Sequence, residues 1–172
     1  MKRLTPDKYL LDSEITALEA LIKRLVRHDL RTSMLLELAL KTGARESELL
    51  GITKSDLIPE LKAVFIRGLK NSYNREIYLS VDFFERLSVY ASALKTERLF
   101  PITASRVRQI WYSVRPCKKK FHAIRHSTAK ILYKASKDIQ LVQQTLGHKA
   151  LANTMVYAVV EYTPEEHRKF IK

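Results

Sequence analysis

The spacing of apolar residues predicts helices over the first third of the chain. Between residues 12 and 27 they recur every three or four positions, which is the period of a helix with one buried face. A second helix is predicted over residues 30–41 and a short third one over residues 46–50. Gly43 follows the second helix, where a glycine at the C-terminal cap commonly ends a helix.

The pattern then changes to short apolar or alternating runs separated by polar turns. Such runs at residues 57–59, 63–66 and 75–79 predict a small antiparallel sheet of three strands, with the sequence LKNSYN in the turn between the last two. Helical spacing resumes over residues 81–91, 103–114, 121–135, 138–146 and 151–160. The predicted fold class is therefore α+β, mostly α-helical, with one small three-stranded antiparallel sheet.

The net charge of the chain indicates what kind of partner it binds. The 172 residues contain 31 Lys plus Arg against 18 Asp plus Glu, a net charge of +13. Such an excess favours a polyanionic partner, although a soluble protein with surplus surface lysine is the alternative. No acidic residue occurs between Glu97 and Asp138, and a stretch with charge of only one sign is expected to face phosphates. The residues expected to contact DNA are Arg106, Arg108, Arg115, Lys118, Lys119 and Lys120.

Cysteine content and hydropathy indicate the compartment. Cys117 is the single cysteine, so no internal disulfide can form, which fits a reducing environment. The start of the sequence lacks an apolar signal core, and no apolar run approaches the roughly 20 residues of a membrane span. We expect a cytoplasmic protein, nucleoid-associated when bound to DNA, with no membrane partner.

Several polar residues have the chemistry needed to cleave a DNA phosphodiester. Tyr157 is the candidate nucleophile, and its phenol, with an ordinary pKa of about 10, needs a base or nearby positive charge. Arg45 and Arg125 are always charged and present forked donors that match phosphate oxygens. Taken alone, any one of the eight tyrosines is better explained as structural, and an isolated Arg45 as a surface residue.

The remaining candidates move protons or orient other side chains. His122 and His148 can donate to phosphate or accept the proton of the tyrosine, since histidine titrates near neutrality. Lys70, at the tip of the predicted hairpin, can protonate the leaving 5′-oxygen, and Glu48 can orient Arg45.

Two roles other than proton transfer are open for the histidines near the start of the predicted helix 121–135. His126 is expected to be structural. Paired histidines at i and i+4, such as His122 and His126, can ligate zinc, but no acidic third ligand lies near them in the sequence. A zinc site is therefore not expected here.

Taken together, these segments resemble the catalytic domain of tyrosine recombinases of the phage integrase and Xer type. The resemblance is carried by TGARESELLGIT, LKNSYNREIYLS, HAIRH, LGHK and the tyrosine nine residues after His148, in the order of the family. It implies a catalytic set of Arg45, Lys70, His122, Arg125, His148 and Tyr157. It also implies a 3′-phosphotyrosyl intermediate, formed without metal, and action in a DNA-bound tetramer assembled from protomers that are monomeric when free.

The pattern begins almost at Met1, so residues 1–172 are expected to form a single catalytic domain without the N-terminal DNA-clamping domain of the family. Two alternatives to a recombinase stay open. One is a DNA-binding accessory protein that keeps the fold and never cuts. The other is a type IB topoisomerase or telomere resolvase, which shares the tyrosine chemistry.

Overall fold

The computed structural model describes residues 4–69, 72–158 and 168, and it confirms a mostly helical fold with one small sheet. Within these residues the α-helices are α1 Asp12–Leu25, α2 Leu30–Thr42, α3 Glu46–Leu50, α4 Val81–Ala93, α5 Ala104–Val114, α6 His122–Ser136, α7 Ile139–Leu146 and α8 Ala152–Met155. The strands are β1 Leu57–Ile58, β2 Ala63–Ile66 and β3 Arg75–Tyr78. Short 3-10 helices occupy Pro6–Lys8, Lys54–Asp56 and Pro59–Leu61.

The three strands form an antiparallel sheet in chain order, with β2 in the middle. Val64 of β2 lies opposite both Leu57 of β1 and Ile77 of β3. Along β3 the burial alternates, with Arg75 and Ile77 inside and the intervening residues exposed, as expected for a strand with one covered face. The sheet thereby turns the side chain of Arg75 towards the protein interior.

Two apolar clusters hold the helices together. The larger one unites α1, α2, α4, α5 and the sheet around fully buried side chains such as Trp111, Phe83 and Phe100. The smaller one lies between α6 and α7 and consists of Ala129, Val142, Leu146 and Tyr157. Tyr157, the candidate nucleophile, is thus part of a packed cluster.

Glycines end two of the helices, one of them at Gly43, as the sequence predicts. Gly43 after α2 and Gly147 after α7 both adopt left-handed backbone, with φ of 59° and 70°. The backbone N–H of each bonds back into the last turn of its helix. Both turns direct the residues that come after them in the sequence to the same region of the molecule.

The end of the last helix differs from the prediction. The α-helix spans Ala152–Met155 instead of residues 151–160. The chain then continues as turns, with the N–H of Tyr157 bonded to the carbonyl of Thr154 at 3.0 Å. Residues 159 and 160 lie outside the described part of the chain. The turn places Tyr157 against α6.

The other boundaries shift by a few residues. The first helix ends at Leu25 instead of residue 27, and α4 continues to Ala93 instead of residue 91. Among the residues that the structure describes, none of the helices is long and apolar enough to cross a membrane.

Candidate active site

Arg45 is held at the start of α3. Its backbone N–H donates to Glu48 Oε2 at 2.8 Å, and its Nη1 donates to Glu48 Oε1 at 3.1 Å. The same guanidinium donates to the hydroxyl of Ser72, in the segment that enters β3. Because Arg45 is only half-buried, part of its guanidinium remains available for a ligand.

Glu48 is a fully buried carboxylate surrounded by three arginines. Besides Arg45, it accepts from Arg75 Nη2 at 2.8 Å and Nη1 at 3.3 Å, and Arg125 Nη1 lies 3.8 Å from its Oε2. Burial alone would raise the pKa of Glu48, but the hydrogen-bonded guanidinium of Arg75 and the neighbouring charges hold it below its usual value. One negative charge against three positive ones leaves an excess of positive charge here.

Arg125 joins the ends of two helices. It is buried on α6 and donates from Nη1 to the carbonyl of Gly43 at 2.6 Å and from Nη2 to the carbonyl of Leu146 at 2.8 Å. Burial and the charge of Arg45 lower its pKa to about 10, so it remains charged at neutral pH. The two carbonyls fix its orientation next to Glu48.

His148 follows the left-handed turn at Gly147 and is buried. Its Nδ1 lies 2.9 Å from the hydroxyl of Thr154, and its backbone exchanges hydrogen bonds with Gln143. Burial and the charges of Arg125, Arg45 and Arg75 lower its pKa to about 4, so the imidazole is neutral at pH 7. A neutral imidazole offers one donor and one acceptor.

The segment that enters β3 pairs with the turn at His148. Ser72 forms an isolated antiparallel bridge with His148, and the N–H of Tyr73 donates to the carbonyl of Gly147 at 2.9 Å. Lys70 lies outside the described residues, two positions before Ser72 in the sequence. Its predicted role stays a prediction.

Tyr157 is buried, and its hydroxyl meets α6. The oxygen lies 2.7 Å from Nδ1 of His126. Burial raises the pKa of Tyr157 to about 12, opposed by the positive charges of Arg125 and Arg45. At neutral pH the phenol is therefore protonated, and attack on a phosphate needs a proton acceptor.

His122 begins α6 and remains exposed. Its ring packs edge-on against His126, with ring centroids 4.8 Å apart, and together with Arg125 it borders a small cavity of about 50 Å³. Desolvation of the part of the ring that faces the protein, and the charges of Arg125 and Arg45, lower its pKa. Arg45, Arg125, His148 and Tyr157 thus converge, with His122 at the rim.

A comparison with models of protein families shows to which family this chain belongs. The model of the phage integrase family matches residues 8–163, nearly the whole chain. The chain belongs to the phage integrase family. The matched range contains each of the six residues of the catalytic set expected from the sequence.

Curated relatives of this integrase-family chain are tyrosine recombinases. Tyrosine recombinase XerH of Campylobacter jejuni is 32% identical over 146 residues, which cover 74% of this chain and 41% of XerH. Tyrosine recombinase XerA of Thermococcus kodakarensis is 27% identical over 153 residues, 81% of this chain and 54% of XerA. The chain spans about half the length of the curated relatives it matches.

Solved structures share the fold. XerH bound to its difH substrate in a pre-cleavage complex matches with a TM-score of 0.76 and 24% identity, covering 98% of this chain and 54% of that one. A crystal structure of XerA recombinase matches with a TM-score of 0.74 and 21% identity, over 99% of this chain and 65% of that one. A lambda integrase tetramer bound to a Holliday junction matches with a TM-score of 0.64 and 20% identity, over 83% of this chain and 47% of that one. The fold is that of tyrosine recombinase catalytic domains.

The residues predicted to contact DNA in this integrase-family chain differ in their surroundings. Four of the six are exposed: Arg106, Arg108, Lys118 and Lys120. Arg108 donates from Nε to Glu46 Oε1 at 3.3 Å, which brings α5 beside α3 and Arg45.

Two of the six are engaged within the protein. Lys119 lies mostly out of solvent, with its amine 2.5 Å from Glu14 Oε2. Its carbonyl accepts from Trp111 Nε1 at 2.7 Å, which fixes the loop. Arg115 is half-buried, with its guanidinium 4.4 Å from the ring centroid of Tyr112.

Sequence reasoning missed two side chains at this site. His126 was expected to be structural, yet it contacts the hydroxyl of Tyr157. Arg75 was not a candidate, yet it makes two hydrogen bonds to Glu48 and one, at 2.7 Å, from Nε to the carbonyl of Thr145. The signal for His126 was its position one turn after His122 on a helix. A single arginine in a short strand offered no comparable signal.

In the part of the chain that the structure describes, no three side chains of His, Cys, Asp or Glu are grouped to hold a metal ion. The histidine pair considered for zinc packs ring edge against ring face, and one member contacts Tyr157.

Proposed function

We propose that this chain is the catalytic part of a site-specific DNA recombinase that cuts and rejoins DNA through Tyr157. The observation that supports this most is the placement of the Tyr157 hydroxyl in the positive field of Arg125 and Arg45. A surface or core tyrosine has no need of two guanidinium groups. A nucleophile that attacks a phosphodiester needs such groups, because negative charge builds up on the phosphate oxygens in the transition state.

In the proposed reaction the phenolic oxygen of Tyr157 attacks the phosphorus of a DNA phosphodiester. Its O–H bond breaks as the proton passes to a neutral imidazole of the site, an O–P bond forms, and the bond from phosphorus to the 5′-oxygen breaks as that oxygen takes up a proton. The products are a 3′-phosphotyrosyl bond and a 5′-hydroxyl. Arg45 and Arg125 stabilise the charge on the non-bridging oxygens, and each such donor is typically worth a factor of about 100 to 1000 in rate. No metal or cofactor takes part.

The other residues of the set handle protons and orientation. Lys70 protonates the departing 5′-oxygen, while His122 and His148 hydrogen-bond the phosphate. Glu48 orients Arg45 through the hydrogen bonds described above. Religation is the reverse reaction, in which an incoming 5′-hydroxyl attacks the phosphotyrosine.

The partners follow from the same chemistry. Double-stranded DNA is bound by the basic residues of α5 and the loop after it. Exchange of strands requires further protomers on the DNA, and we propose a tetramer that assembles from free monomers. A lambda integrase tetramer on a Holliday junction shares this fold, which supports the proposal. The protein acts in the cytoplasm, on the nucleoid.

A nicked suicide duplex, made from the DNA that flanks the gene, tests the cleavage step. The wild-type chain should give a protein–DNA band that resists SDS, and Tyr157→Phe should bind the same DNA without forming it. Tyr133→Phe is the matched control, because Tyr133 packs against the same small cluster and should leave the band intact. A band that persists in Tyr157→Phe, or its absence from the wild type, would contradict the proposal.

A further inference from the structure

The hydroxyl of Tyr157 has a specific partner. In residues 4–69, 72–158 and 168, the one side-chain hydrogen bond of this hydroxyl is to Nδ1 of His126, at 2.7 Å. The two rings are tilted by 51°, with centroids 5.8 Å apart, so the contact is made through the ring nitrogen. His126 therefore touches the atom that the proposed function makes the nucleophile.

The other two histidines of the site are placed differently. Nδ1 of His148 is engaged by the hydroxyl of Thr154 at 2.9 Å. His122 is exposed and packs its ring against His126 rather than against the tyrosine. Among these three histidines, His126 is therefore the one whose ring nitrogen contacts the hydroxyl of Tyr157.

We propose that His126 is the base that accepts the proton of Tyr157 when the tyrosine attacks DNA. This rests on the proposed function. The O–H bond of the phenol breaks as an N–H bond forms at Nδ1, and the phenolic electron pair makes the new O–P bond. In religation the phosphotyrosine oxygen leaves and takes the proton back from Nδ1, so proton and charge balance over a full cycle.

The charges around His126 suit this role. His122 and Arg125 on α6 and Lys8 on the first 3-10 helix disfavour an imidazolium at this position. His148 after α7 also faces His126, which lowers the pKa of His148. Burial and these neighbours lower the pKa of His126 to about 4, so its ring is neutral and has a free electron pair at rest. A bound DNA phosphate adds negative charge and favours the protonated form. Proton acceptance would thus be coupled to the presence of DNA.

Two variants of His126 separate basicity from hydrogen bonding. In His126→Asn the side-chain amide oxygen can take the place of Nδ1 and accept from the tyrosine, but it cannot take up a proton. In His126→Ala both are lost. We expect the rate of adduct formation on the suicide duplex to fall roughly 100-fold in each, the usual loss of a general base. In both variants the rate should rise with pH, because hydroxide must remove the proton.

Added imidazole provides a readout that a structural role would not affect. It should restore part of the rate to His126→Ala, by occupying the vacated space, and should not accelerate the wild type. His28→Asn is the control, because His28 is exposed between α1 and α2. It should keep the wild-type rate and pH profile.

Nitrogen-15 NMR of the DNA-free chain provides a readout that does not depend on activity. The ring nitrogens of His126, assigned by their loss in His126→Asn, should show Nδ1 without a proton at neutral pH. A protonated Nδ1 would overturn the proposal, as would wild-type rates in both His126 variants. If those variants and the wild type form adducts equally fast, the proposal fails while the proposed function stands. If no adduct forms in the wild type, both fail.

Discussion

At the scale of single residues, the site depends on one carboxylate that organises three guanidinium groups. Glu48 binds Arg45 and Arg75 directly and lies 3.8 Å from Arg125. A buried ion pair contributes little net stability, but loss of one partner leaves uncompensated charge inside the protein. Glu48 therefore determines both the positions of the arginines and the cost of disturbing them.

Replacing Glu48 with glutamine should show how much stability is lost when the charge of the carboxylate is removed. Glu48→Gln retains the shape and removes the charge, so the free energy of unfolding at pH 7 should fall by about 3–5 kcal/mol. The pKa of Glu48 is lowered in the folded protein, so its contribution is present above the usual value of 4.5 and is lost as the pH falls through the folded value. The difference between variant and wild type in urea unfolding should therefore shrink on acidification.

The control for this measurement is Glu60→Gln, since Glu60 is exposed on a 3-10 helix. That variant should unfold like the wild type at each pH. A Glu48→Gln protein as stable as the wild type at pH 7 would show that the three arginines do not need the carboxylate.

At the scale of elements, turns that begin with a glycine position two of the site residues. Gly43 places Arg45 after α2, and Gly147 places His148 after α7. The hairpin between β2 and β3 uses a third glycine differently. A Cβ on Gly68 would lie 2.4–2.5 Å from backbone atoms of Ser72 and Tyr73, which cannot move aside without opening the hairpin.

Gly68→Ala should therefore displace the segment that contains Ser72 and enters β3. We expect a loss of about 1–3 kcal/mol in stability, typical of overpacking, and a fall in the rate of adduct formation on the order of 100-fold, because the groups around the phosphate are misplaced. The matched control is Gly51→Ala, where a Cβ comes no closer than 3.4 Å to its neighbours. Equal rates in the two variants would mean that the hairpin does not contribute to cleavage.

Periodicity in the sequence was enough to predict the helices, the three strands and the glycine turns. It placed Arg45, Arg125, His148 and Tyr157 in elements that the structure brings together. The last helix was overpredicted, because the apolar residues after Met155 continue the pattern while the backbone turns and Thr154 binds His148. The roles of His126 and Arg75 depend on tertiary contacts that no local pattern encodes.

At the scale of the whole molecule, the proposed association with DNA depends on the net charge of +13, from 31 basic and 18 acidic residues. Four basic residues of α5 and the following loop are exposed, whereas others are paired within the protein. Lys118 is exposed, whereas Lys119 is paired with Glu14. The two adjacent lysines therefore test whether display to solvent, rather than charge alone, determines DNA binding.

DNA affinity should fall steeply with salt, since each phosphate neutralised by a basic side chain releases counterions. Lys118→Ala should reduce the slope of log affinity against log salt concentration by about 1, the amount expected for one lost phosphate contact. Lys119→Ala should change that slope less. Fluorescence anisotropy on a labelled duplex measures both, and an affinity that hardly varies with salt would contradict a phosphate-binding role for this surface.

The most direct test of the account is to identify the amino acid that becomes attached to DNA. Wild-type chain trapped on the suicide duplex would be digested with nuclease and protease, and the peptide that retains a nucleotide would be sequenced by mass spectrometry. The account predicts a phosphodiester on Tyr157, linked to the 3′ side of the break. A nucleotide on any other residue, or on Tyr157 through the 5′ side, would contradict it.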